Sequence, residues 1–193
     1  MGMSKALMEK LVRSSSYLGG TTSCITRYGN VVGSRGSVIP LFIENIKKSK
    51  PIHITDWDMT RFIMSLDDSV ELVLFALNNG NQGDLFVQKA PAANLRTILA
   101  ALEILLGKKA HEVHISGVRP GEKIHETLLN AEERTYAEES DKFFRVPSIV
   151  MRNQSHSPRQ YGRNEFRSDS TRILDTNELV DFLRINREIM KLL

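Results

Sequence analysis

The chain reads TSCITRYGNVVGSRGSVIP over residues 22–40, where a run rich in β-branched residues gives way to glycines, polar groups and a cation. In open α/β sheets, ligands bind beyond the carboxyl ends of the strands, where glycine lets the backbone approach a ligand closely. Asn30 and Arg35 are therefore the first candidates for ligand contact. The alternative is a turn that uses Gly and Asn for positive φ, and this stretch by itself is consistent with both interpretations.

The composition is typical of a soluble globular protein of one or two domains, with 193 residues, 41% hydrophobic and 25% charged, and a net charge of +3. No apolar run approaches the roughly 20 residues that span a bilayer, and Met1 is not followed by a leader pattern. We therefore expect a cytoplasmic protein that does not bind membranes. The single cysteine, Cys24, excludes an internal disulfide, and its apolar surroundings favour a small buried side chain over a nucleophile.

Positive charge is concentrated near the carboxyl end. Between Lys142 and Arg172 the sequence has seven Lys or Arg and two acidic residues. Such a stretch can follow a phosphate backbone, but Tyr161 and Phe166 are its only central aromatic residues and no nucleic-acid motif accompanies it. We expect a solvated irregular loop and no nucleic-acid partner.

Hydrophobic periodicity predicts strands that alternate with helices, which indicates an α/β architecture. The predicted helices cover residues 1–13, 38–48, 67–77, 95–106, 122–130 and 176–193, and the predicted strands cover residues 21–28, 51–55, 61–64, 85–89 and 111–116. Asn94 and Gly107 are expected to cap the helix over 95–106. The Gly-x-Gly-x-x-Gly motif of a dinucleotide-binding half is not found in this sequence.

Three segments place an arginine or an amide at the end of a predicted strand. They are residues 27–30, 60–62 and 117–123. A guanidinium offers forked donors that match phosphate oxygens, so two converging arginines would suit a diphosphate. Arg119 has the stronger case, because Pro120-Gly121 fixes a turn and Glu122 is predicted to open a helix whose amino end favours anions. The alternative for each arginine is a surface ion pair.

Other chemistries have weak support. His111 and His114 would point to opposite sides of a strand, and no cysteine or carboxylate cluster completes a ligand set, so we predict no metal site. No Gly-x-Ser-x-Gly elbow is present, which argues against a serine hydrolase.

The segments 1–10, 26–40, 59–62 and 116–126, taken together, resemble the carboxyl-terminal half of a UDP-N-acetylglucosamine 4,6-dehydratase of the inverting type. That family belongs to the extended short-chain dehydrogenases and makes sugar nucleotides for bacterial capsules and O-antigens. The resemblance runs in order over residues 1–147, and beyond it only 168–175 is similar. It implies an incomplete Rossmann-like α/β fold, mainly the substrate-binding lobe, without the Gly-rich cofactor half.

The resemblance also implies a division of the chain. Residues 1–40 would be a remnant of the dinucleotide-binding domain, 41–147 the substrate-binding lobe, 148–172 an irregular basic segment and 173–193 a C-terminal helix. The strand over 21–28, central in the complete family fold, would become an edge strand here or lose its neighbours.

Enzymes of this family are NADP-dependent lyases or epimerases that oxidise C4 of the sugar, remove the C5 proton, eliminate the C6 hydroxyl and return the hydride to C6. Inverting members then invert C5. By this resemblance Lys5 matches the lysine of the Tyr-x-x-x-Lys signature, which holds the nicotinamide ribose. Met1 stands at the tyrosine position, as methionine does in the inverting subgroup. Tyr28 and Gly29 match positions that lie alongside the nicotinamide.

The resemblance implies a UDP-N-acetylhexosamine site as well. Asn30 and Val38 match contacts to the UDP-sugar, Arg61 and Arg119 match the two arginines that bind the diphosphate, and Glu122 matches a residue near the uridine ribose. The acid–base pair of the subgroup would precede residue 1. The chain is then part of a dehydratase and inactive alone, with a separately encoded amino-terminal half or further copies of itself as partners. A stand-alone nucleotide-sugar binder and an interaction module remain the alternatives.

Overall fold

The computed structural model describes residues 2–15, 20–148 and 164–193, in which helices and strands are interspersed as the predicted α/β architecture requires, although several strands follow one another directly. The helices are α1 (Gly2–Ser15), α2 (Val38–Lys47), α3 (Leu66–Asn79), α4 (Leu95–Leu106), α5 (Ala131–Tyr136), α6 (Thr176–Ile185) and α7 (Arg187–Met190). The strands are β1 (Ile25–Arg27), β2 (Ile52–Ile54), β3 (Thr60–Phe62), β4 (Leu85–Gln88), β5 (Ala92–Asn94), β6 (Val113–Ile115), β7 (Thr127–Leu129), β8 (Glu138–Glu139), β9 (Phe143–Val146) and β10 (Phe166–Arg167). Most of the basic segment falls in residues 149–163, outside the described residues.

The chain forms two compact units, each assembled from three stretches of sequence. Unit 1 comprises Met1–Tyr28, Asp67–Lys89 and Thr127–Phe166, and unit 2 comprises Gly29–Leu66, Ala90–Glu126 and Arg167–Leu193. The contiguous domain boundaries inferred from the sequence stay a prediction, because these units are defined by contacts and not by what they bind.

Unit 1 is built on a sheet of strand order β1-β4-β9-β8. β1 pairs in parallel with β4, and β4 pairs antiparallel with β9. Among the described strands β1 lies at the edge of this sheet, as predicted, but it covers only three of the eight residues predicted as strand. Phe75 of α3 packs against Phe86 and Phe143, with ring centroids 5.8 and 4.5 Å apart. These apolar contacts hold α3 on the sheet.

One guanidinium, that of Arg27 at the end of β1, joins several elements of unit 1. Its Nε donates to Glu9 at 3.1 Å, and its Nη1 donates to the Leu128 carbonyl at 2.7 Å and to Glu133 at 2.9 Å. Burial alone would raise the pKa of Glu133, but the hydrogen bond and charge of Arg27 outweigh it and hold that pKa below its ordinary value. Arg27 is therefore committed to a structural ion-pair cluster, as the ion-pair alternative predicts.

Unit 2 contains a large apolar core beneath α2, α4 and α6. β2 pairs in parallel with β6, and β3 pairs antiparallel with β5. Residues of this core with almost no exposed surface are Phe42, Ile46, Ile52, Ile54, Ile98 and Leu102. Burial of these side chains stabilises the unit that carries the candidate site.

Helix α4 confirms the prediction made from its caps. The Asn94 side chain accepts a hydrogen bond from the Thr97 amide at 2.7 Å, and Gly107 ends the helix with a φ of 59°. Both devices are local, so the sequence alone was sufficient to predict them.

The helix predicted over residues 122–130 is wrong. Residues Thr127–Leu129 form strand β7, and Asn130 caps the separate helix α5. A helix would use the Leu128 carbonyl internally, whereas here that oxygen accepts a hydrogen bond from Arg27 at 2.7 Å. The long-range bond therefore replaces the helical one.

The predicted helix over 176–193 is interrupted. α6 ends at Ile185, and Asn186 then caps α7, its side chain accepting a hydrogen bond from the Ile189 amide at 3.2 Å. Asparagine is a good N-cap because its side-chain oxygen satisfies an amide that lacks a helical partner. The new cap starts a second helix instead of continuing the first.

None of the helices within residues 2–15, 20–148 and 164–193 combines the length and the hydrophobicity of a bilayer-spanning segment.

Gly29 packs directly on strand β3. A Cβ at this position would overlap the Cβ of Phe62, which is fully buried. We therefore expect Gly29→Ala to lower the free energy of unfolding of unit 2 by about 1–3 kcal/mol, because the well-packed core has no room for the added carbon. Urea unfolding followed by the fluorescence of Trp57, the single tryptophan of the chain, reports on this unit.

Ser34→Ala, at an exposed position of the same segment, is the control and should change the free energy of unfolding by less than about 0.5 kcal/mol. Equal unfolding midpoints for Gly29→Ala and Ser34→Ala would show that the close contact with Phe62 has no energetic consequence.

Candidate functional site

The segment after β1 runs alongside β3 in unit 2. Val31 forms a parallel bridge with Met64, and the Val32 amide donates to the Met64 carbonyl at 2.9 Å. Gly33 and Gly36 have φ of 80° and 74°, so at these positions the turn requires glycine. Asn30 does not have a positive φ. The alternative that this segment is only a turn therefore explains Gly33 and Gly36 but not Asn30.

Asn30 and Arg61, two of the predicted substrate-binding residues, meet at the carboxylate of Glu126. With the amide rotation assigned from its surroundings, the Asn30 nitrogen donates to the two Glu126 oxygens at 3.0 and 2.7 Å. Arg61 Nε lies 3.7 Å from Glu126 Oε1, and the Phe62 amide lies 3.4 Å from Oε2. The structure thus places both predicted residues around one acidic side chain.

The guanidinium of Arg61 is held mainly by neutral acceptors. Nη1 donates to the carbonyls of Thr60 and Ile124 at 2.8 and 3.1 Å, and Nη2 lies 2.8 Å from the sulfur of Met59. Nη2 is also 4.0 Å from a Glu122 oxygen, and only 16% of the Arg61 side chain is exposed. Carbonyl groups therefore fix the position of the guanidinium, while its carboxylate contacts are long.

Glu126 is the residue of this site that sequence reasoning missed. Burial raises the pKa of Glu126, and the charge of Arg61 and hydrogen bonds from Phe62 and Asn30 offset that effect only in part, so the pKa stays above its ordinary value. The sequence offered one signal for Glu126, because it is an acidic residue at the end of the segment 116–126, and that segment had been singled out for Arg119. Perturbed pKa values cluster at functional sites, which together with its contacts to Asn30 and Arg61 makes Glu126 a candidate member of this site.

Glu122 bridges Arg61 and the turn that carries Arg119. Its carboxylate accepts hydrogen bonds from the Thr55 hydroxyl at 3.2 and 3.1 Å, and one oxygen lies 3.5 Å from the Arg119 amide nitrogen. The Glu122 amide donates to the Arg119 carbonyl at 3.0 Å across a turn in which Gly121 has a φ of 79°. Glu122 therefore closes a turn and does not open a helix, which corrects the predicted anion site at a helix amino end.

A small cavity marks the place where three predicted residues converge. It is lined by Asn30, Val38 at the start of α2, and Arg61, and its volume is about 20 Å³. A cavity of that size accommodates about one water molecule. A nucleotide sugar would have to lie over this cavity instead of within it.

A buried network of hydroxyl and imidazole groups supports the backbone at residues 125 and 126. Thr60 Oγ1 lies 2.8 Å from His125 Nδ1 and 2.6 Å from Ser168 Oγ, and the Glu126 amide donates to Ser168 Oγ at 2.9 Å. His125 Nε2 lies 3.7 Å from Asp169 Oδ2. Ser168 has no exposed surface, whereas the side chains of His125 and Asp169 are 25% and 34% exposed, so this network fixes β3 relative to Glu126 and extends from a buried hydroxyl to the surface.

The residues matched to the cofactor are divided between the units. Lys5 is exposed on α1, and Tyr28, 47% exposed, follows β1; both belong to unit 1, whereas Gly29 belongs to unit 2. Met1, at the position of the signature tyrosine, is outside the described residues. Arg35 is exposed.

The described residues do not fit a whole dinucleotide. β1 is followed by an irregular segment, and α2 begins only at Val38. Within residues 2–15, 20–148 and 164–193, no glycine-rich turn joins a strand directly to a helix amino end, which is the arrangement that cradles a pyrophosphate.

The structure also shows the surroundings of Cys24 and of the residue types that bind metals. The Cys24 thiol is half-buried, and burial, together with the charge of Asp84, raises its pKa, so it is held protonated as expected of a packing residue. In the described part of the chain, no three His, Cys, Asp or Glu side chains come together in a group able to hold a metal ion.

Comparison with known proteins identifies related sequences. A family described as polysaccharide biosynthesis protein matches residues 1–148. The chain is 50% identical over 150 residues to a protein named UDP-glucose 4-epimerase from Rickettsia rickettsii, and 49% identical to one of the same name from Rickettsia prowazekii. Each alignment covers 76% of this chain and 44% of the relative. The chain therefore spans less than half the length of these relatives.

Solved structures show the same fold. Pen from Bacillus thuringiensis superposes with a TM-score of 0.84 at 31% identity, over 97% of this chain and 57% of that one. DesIV, a dTDP-glucose 4,6-dehydratase from Streptomyces venezuelae crystallised with NAD, superposes with a TM-score of 0.57 at 23% identity, over 63% and 39% of the two chains. The predicted Rossmann-like α/β fold is confirmed as a match to part of these chains.

Proposed function

Because the chain belongs to the polysaccharide biosynthesis protein family, we propose that unit 2 binds the nucleotide diphosphate of a nucleotide sugar at the surface around Asn30, Arg61 and Glu122. The observation that supports this proposal best is the meeting of Asn30 and Arg61 at one carboxylate, beside a cavity that Val38 also lines. An amide, a guanidinium and an apolar wall are the groups that a polar, anionic ligand with a sugar ring requires.

Arg61 is the proposed diphosphate ligand. Its Nη1 is committed to two carbonyls, whereas its contacts with Glu126 and Glu122 are long, at 3.7 and 4.0 Å. A phosphate oxygen forms shorter charge-assisted hydrogen bonds with a guanidinium than these, so it can replace the carboxylates there. Arg119, exposed on the neighbouring turn, supplies the second cation, and Glu122 accepts hydrogen bonds from the hydroxyls of the ribose.

For the whole reaction we propose 4,6-dehydration of UDP-N-acetylglucosamine, with inversion at C5, for surface polysaccharide biosynthesis. The support is the resemblance of segments 1–10, 26–40, 59–62 and 116–126, together with the methionine at position 1. NADP is the proposed cofactor, with Lys5, Tyr28 and Gly29 as the contribution of this chain. The alternative is 4-epimerisation of UDP-glucose, which the names of the Rickettsia relatives favour.

We propose that the chain alone binds the nucleotide sugar without converting it, because its sequence carries no Gly-x-Gly-x-x-Gly motif for the cofactor. A separately encoded amino-terminal half, or further copies of this chain, are the proposed protein partners. Restoration of activity by co-expression with such a half would support that arrangement.

Calorimetric titration tests the proposed function. We expect UDP, UDP-N-acetylglucosamine and UDP-glucose to bind to the folded chain, and free N-acetylglucosamine not to bind, because the diphosphate provides the charge that Arg61 recognises. Tighter binding of UDP-N-acetylglucosamine than of UDP-glucose would favour the dehydratase over the epimerase. A folded sample that gives no heat with UDP would refute the binding site. Formation of a 4-keto sugar by the purified chain with NADP would contradict its inactivity.

A further inference from the structure

We propose that Glu126 is a positioning residue of this site: its carboxylate sets the rotation of the Asn30 carboxamide, so that Asn30 presents its oxygen, and not its NH2 group, to the ligand. For the ligand this inference rests on the proposed function. For the orientation of Asn30 it rests on the geometry of unit 2 alone.

The orientation follows from hydrogen-bonding chemistry. The Asn30 nitrogen lies 3.0 and 2.7 Å from the two Glu126 oxygens, both of which accept hydrogen bonds when ionised. Rotating the amide by half a turn would set its carbonyl oxygen against two acceptors, which is repulsive. The nitrogen therefore faces Glu126, and the carbonyl oxygen is the amide atom turned away from that carboxylate, in a residue that is exposed as a whole.

This orientation assigns a class of ligand group to Asn30. An outward carbonyl oxygen accepts hydrogen bonds, so it recognises a hydroxyl or an N–H group of the ligand. It does not recognise a phosphate oxygen, which is itself an acceptor. Within the site the two functions are thus separated: Arg61 faces the diphosphate, and Asn30 faces a sugar hydroxyl or an amide or imide N–H.

Glu126 is well fixed for this role. Its amide donates to Ser168 Oγ at 2.9 Å, and Ser168 lies 2.6 Å from the hydroxyl of Thr60, the residue before Arg61. The same carboxylate lies 3.7 Å from Arg61 Nε. Glu126 therefore contacts both predicted ligand-binding residues, Asn30 by hydrogen bonds and Arg61 at a longer distance, and its backbone is tied to the strand that carries Arg61.

The charge of Glu126 carries a cost in stability. Because burial raises its pKa in the folded protein, the native state keeps a proton that the unfolded chain loses as the pH rises above the ordinary value for glutamate. The stability contributed by this group consequently declines as the pH rises towards the raised pKa. At neutral pH, replacing the carboxylate with an uncharged amide should leave stability unchanged or increase it.

The test exchanges the two side chains and uses UDP-N-acetylglucosamine as the probe. In Glu126→Gln, the new amide faces Asn30 with either its oxygen or its nitrogen, so the rotation of Asn30 is no longer fixed and affinity should fall roughly 10-fold. In Asn30→Asp, the carboxylate introduced at position 30 faces that of Glu126, so the affinity for UDP-N-acetylglucosamine should fall at least as far as in Glu126→Gln.

The double variant, which combines Asn30→Asp with Glu126→Gln, should rescue binding. The amide introduced at position 126 donates to the carboxylate introduced at position 30 and accepts from Arg61, so an outward acceptor is restored at position 30. Affinity should then recover to within about 3-fold of the unsubstituted protein.

The unfolding midpoint, measured by Trp57 fluorescence, separates positioning from a structural role. We expect Glu126→Gln to unfold at the same or a higher urea concentration while binding more weakly. If Glu126→Gln binds as tightly as the unsubstituted protein, or if the double variant binds no better than Asn30→Asp, the proposal is wrong.

A second measurement needs no ligand. In the free protein the side-chain NH2 resonances of Asn30 should titrate with Glu126, at a pH above the ordinary glutamate pKa, and the step should disappear in Glu126→Gln. Other ionisable side chains of the described residues near Glu126 are Arg61, which lies 3.7 Å from Glu126 and 4.0 Å from Glu122, and His125, which is adjacent in sequence and lies 3.7 Å from Asp169. If the titration step of Asn30 is lost in Glu126→Gln but not in variants of these other groups, it belongs to Glu126. If the step persists in Glu126→Gln, the proposed orientation of the Asn30 amide is wrong. A titrating Asn30 in a protein that does not bind UDP-N-acetylglucosamine would support the orientation and remove the proposed function.

Discussion

Arg27→Ala is expected to lower the free energy of unfolding of unit 1 by about 3 kcal/mol, because it leaves two partly buried carboxylates without their nearest cation. The side chains of Glu133 and Glu9 are only 12% and 26% exposed, and both pair with Arg27. The carbonyl of Leu128 also loses its donor. Amide hydrogen exchange of β4, which pairs with β1, measures the effect, since faster exchange there reports the loss of unit 1 stability.

Lys142→Ala is the matched control in unit 1. Lys142 pairs with Glu71, and their side chains are 60% and 45% exposed, so its removal should alter exchange little.

Acid provides a second comparison. The pKa of Glu133 is lowered by Arg27, so the stability from this pair is present above the ordinary glutamate pKa and is lost as the pH falls through the lowered value. Arg27→Ala should therefore lose less stability on acidification than the unsubstituted protein. Similar acid sensitivity in both proteins would argue against the cluster.

Arg61→Ala is expected to weaken the binding of UDP about 100-fold, since charge-assisted hydrogen bonds to a diphosphate contribute about 1.5–3 kcal/mol each. Arg61→Lys should lose about 10-fold, because lysine keeps the charge but not the forked donors that match phosphate. Calorimetric titration with UDP measures both, and Trp57 fluorescence verifies that unit 2 remains folded.

The control for Arg61 is Arg184→Ala in the same unit. Arg184 lies on α6, its side chain is 59% exposed, and its ion pair with Asp181 is 3.8 Å long, so its removal should leave UDP binding unchanged. If Arg61→Ala and Arg184→Ala bind UDP equally well in folded proteins, Arg61 is not the diphosphate ligand.

Features set by neighbouring residues could be predicted from the sequence, and features set by distant contacts could not. Helix α4 was predicted from end to end because Asn94 and Gly107 act on adjacent backbone groups. The helix predicted over 122–130 does not form, because long-range contacts of this segment outweigh its local preference for a helix. The Leu128 carbonyl is used by Arg27, 101 residues earlier in the chain.

The candidate site shows the same division. Asn30 could be singled out because ligands bind beyond the carboxyl ends of strands, and Arg61 because a guanidinium matches phosphate oxygens, although Arg61 lies within β3 and not at the end of a strand as predicted. Glu126 could not be singled out, because its role depends on contacts with Asn30 and with the Phe62 amide, and Phe62 lies 64 positions away in the sequence. Burial, which raises its pKa, exists only once unit 2 has folded. The placement of Asn30 and Arg61 beside one carboxylate is thus a property of the tertiary structure.

The interleaving of the two units has a consequence for biosynthesis. Unit 2 takes its last stretch from Arg167–Leu193, which supplies Ser168 to the network below Glu126 and α6 to the packing against α4. While a ribosome is still translating residues before 167, the binding surface lacks part of its foundation. We expect nascent chains stalled before Ser168 to be recognised by chaperones or proteases, and ligand recognition to mature only after the stretch Arg167–Leu193 has been synthesised.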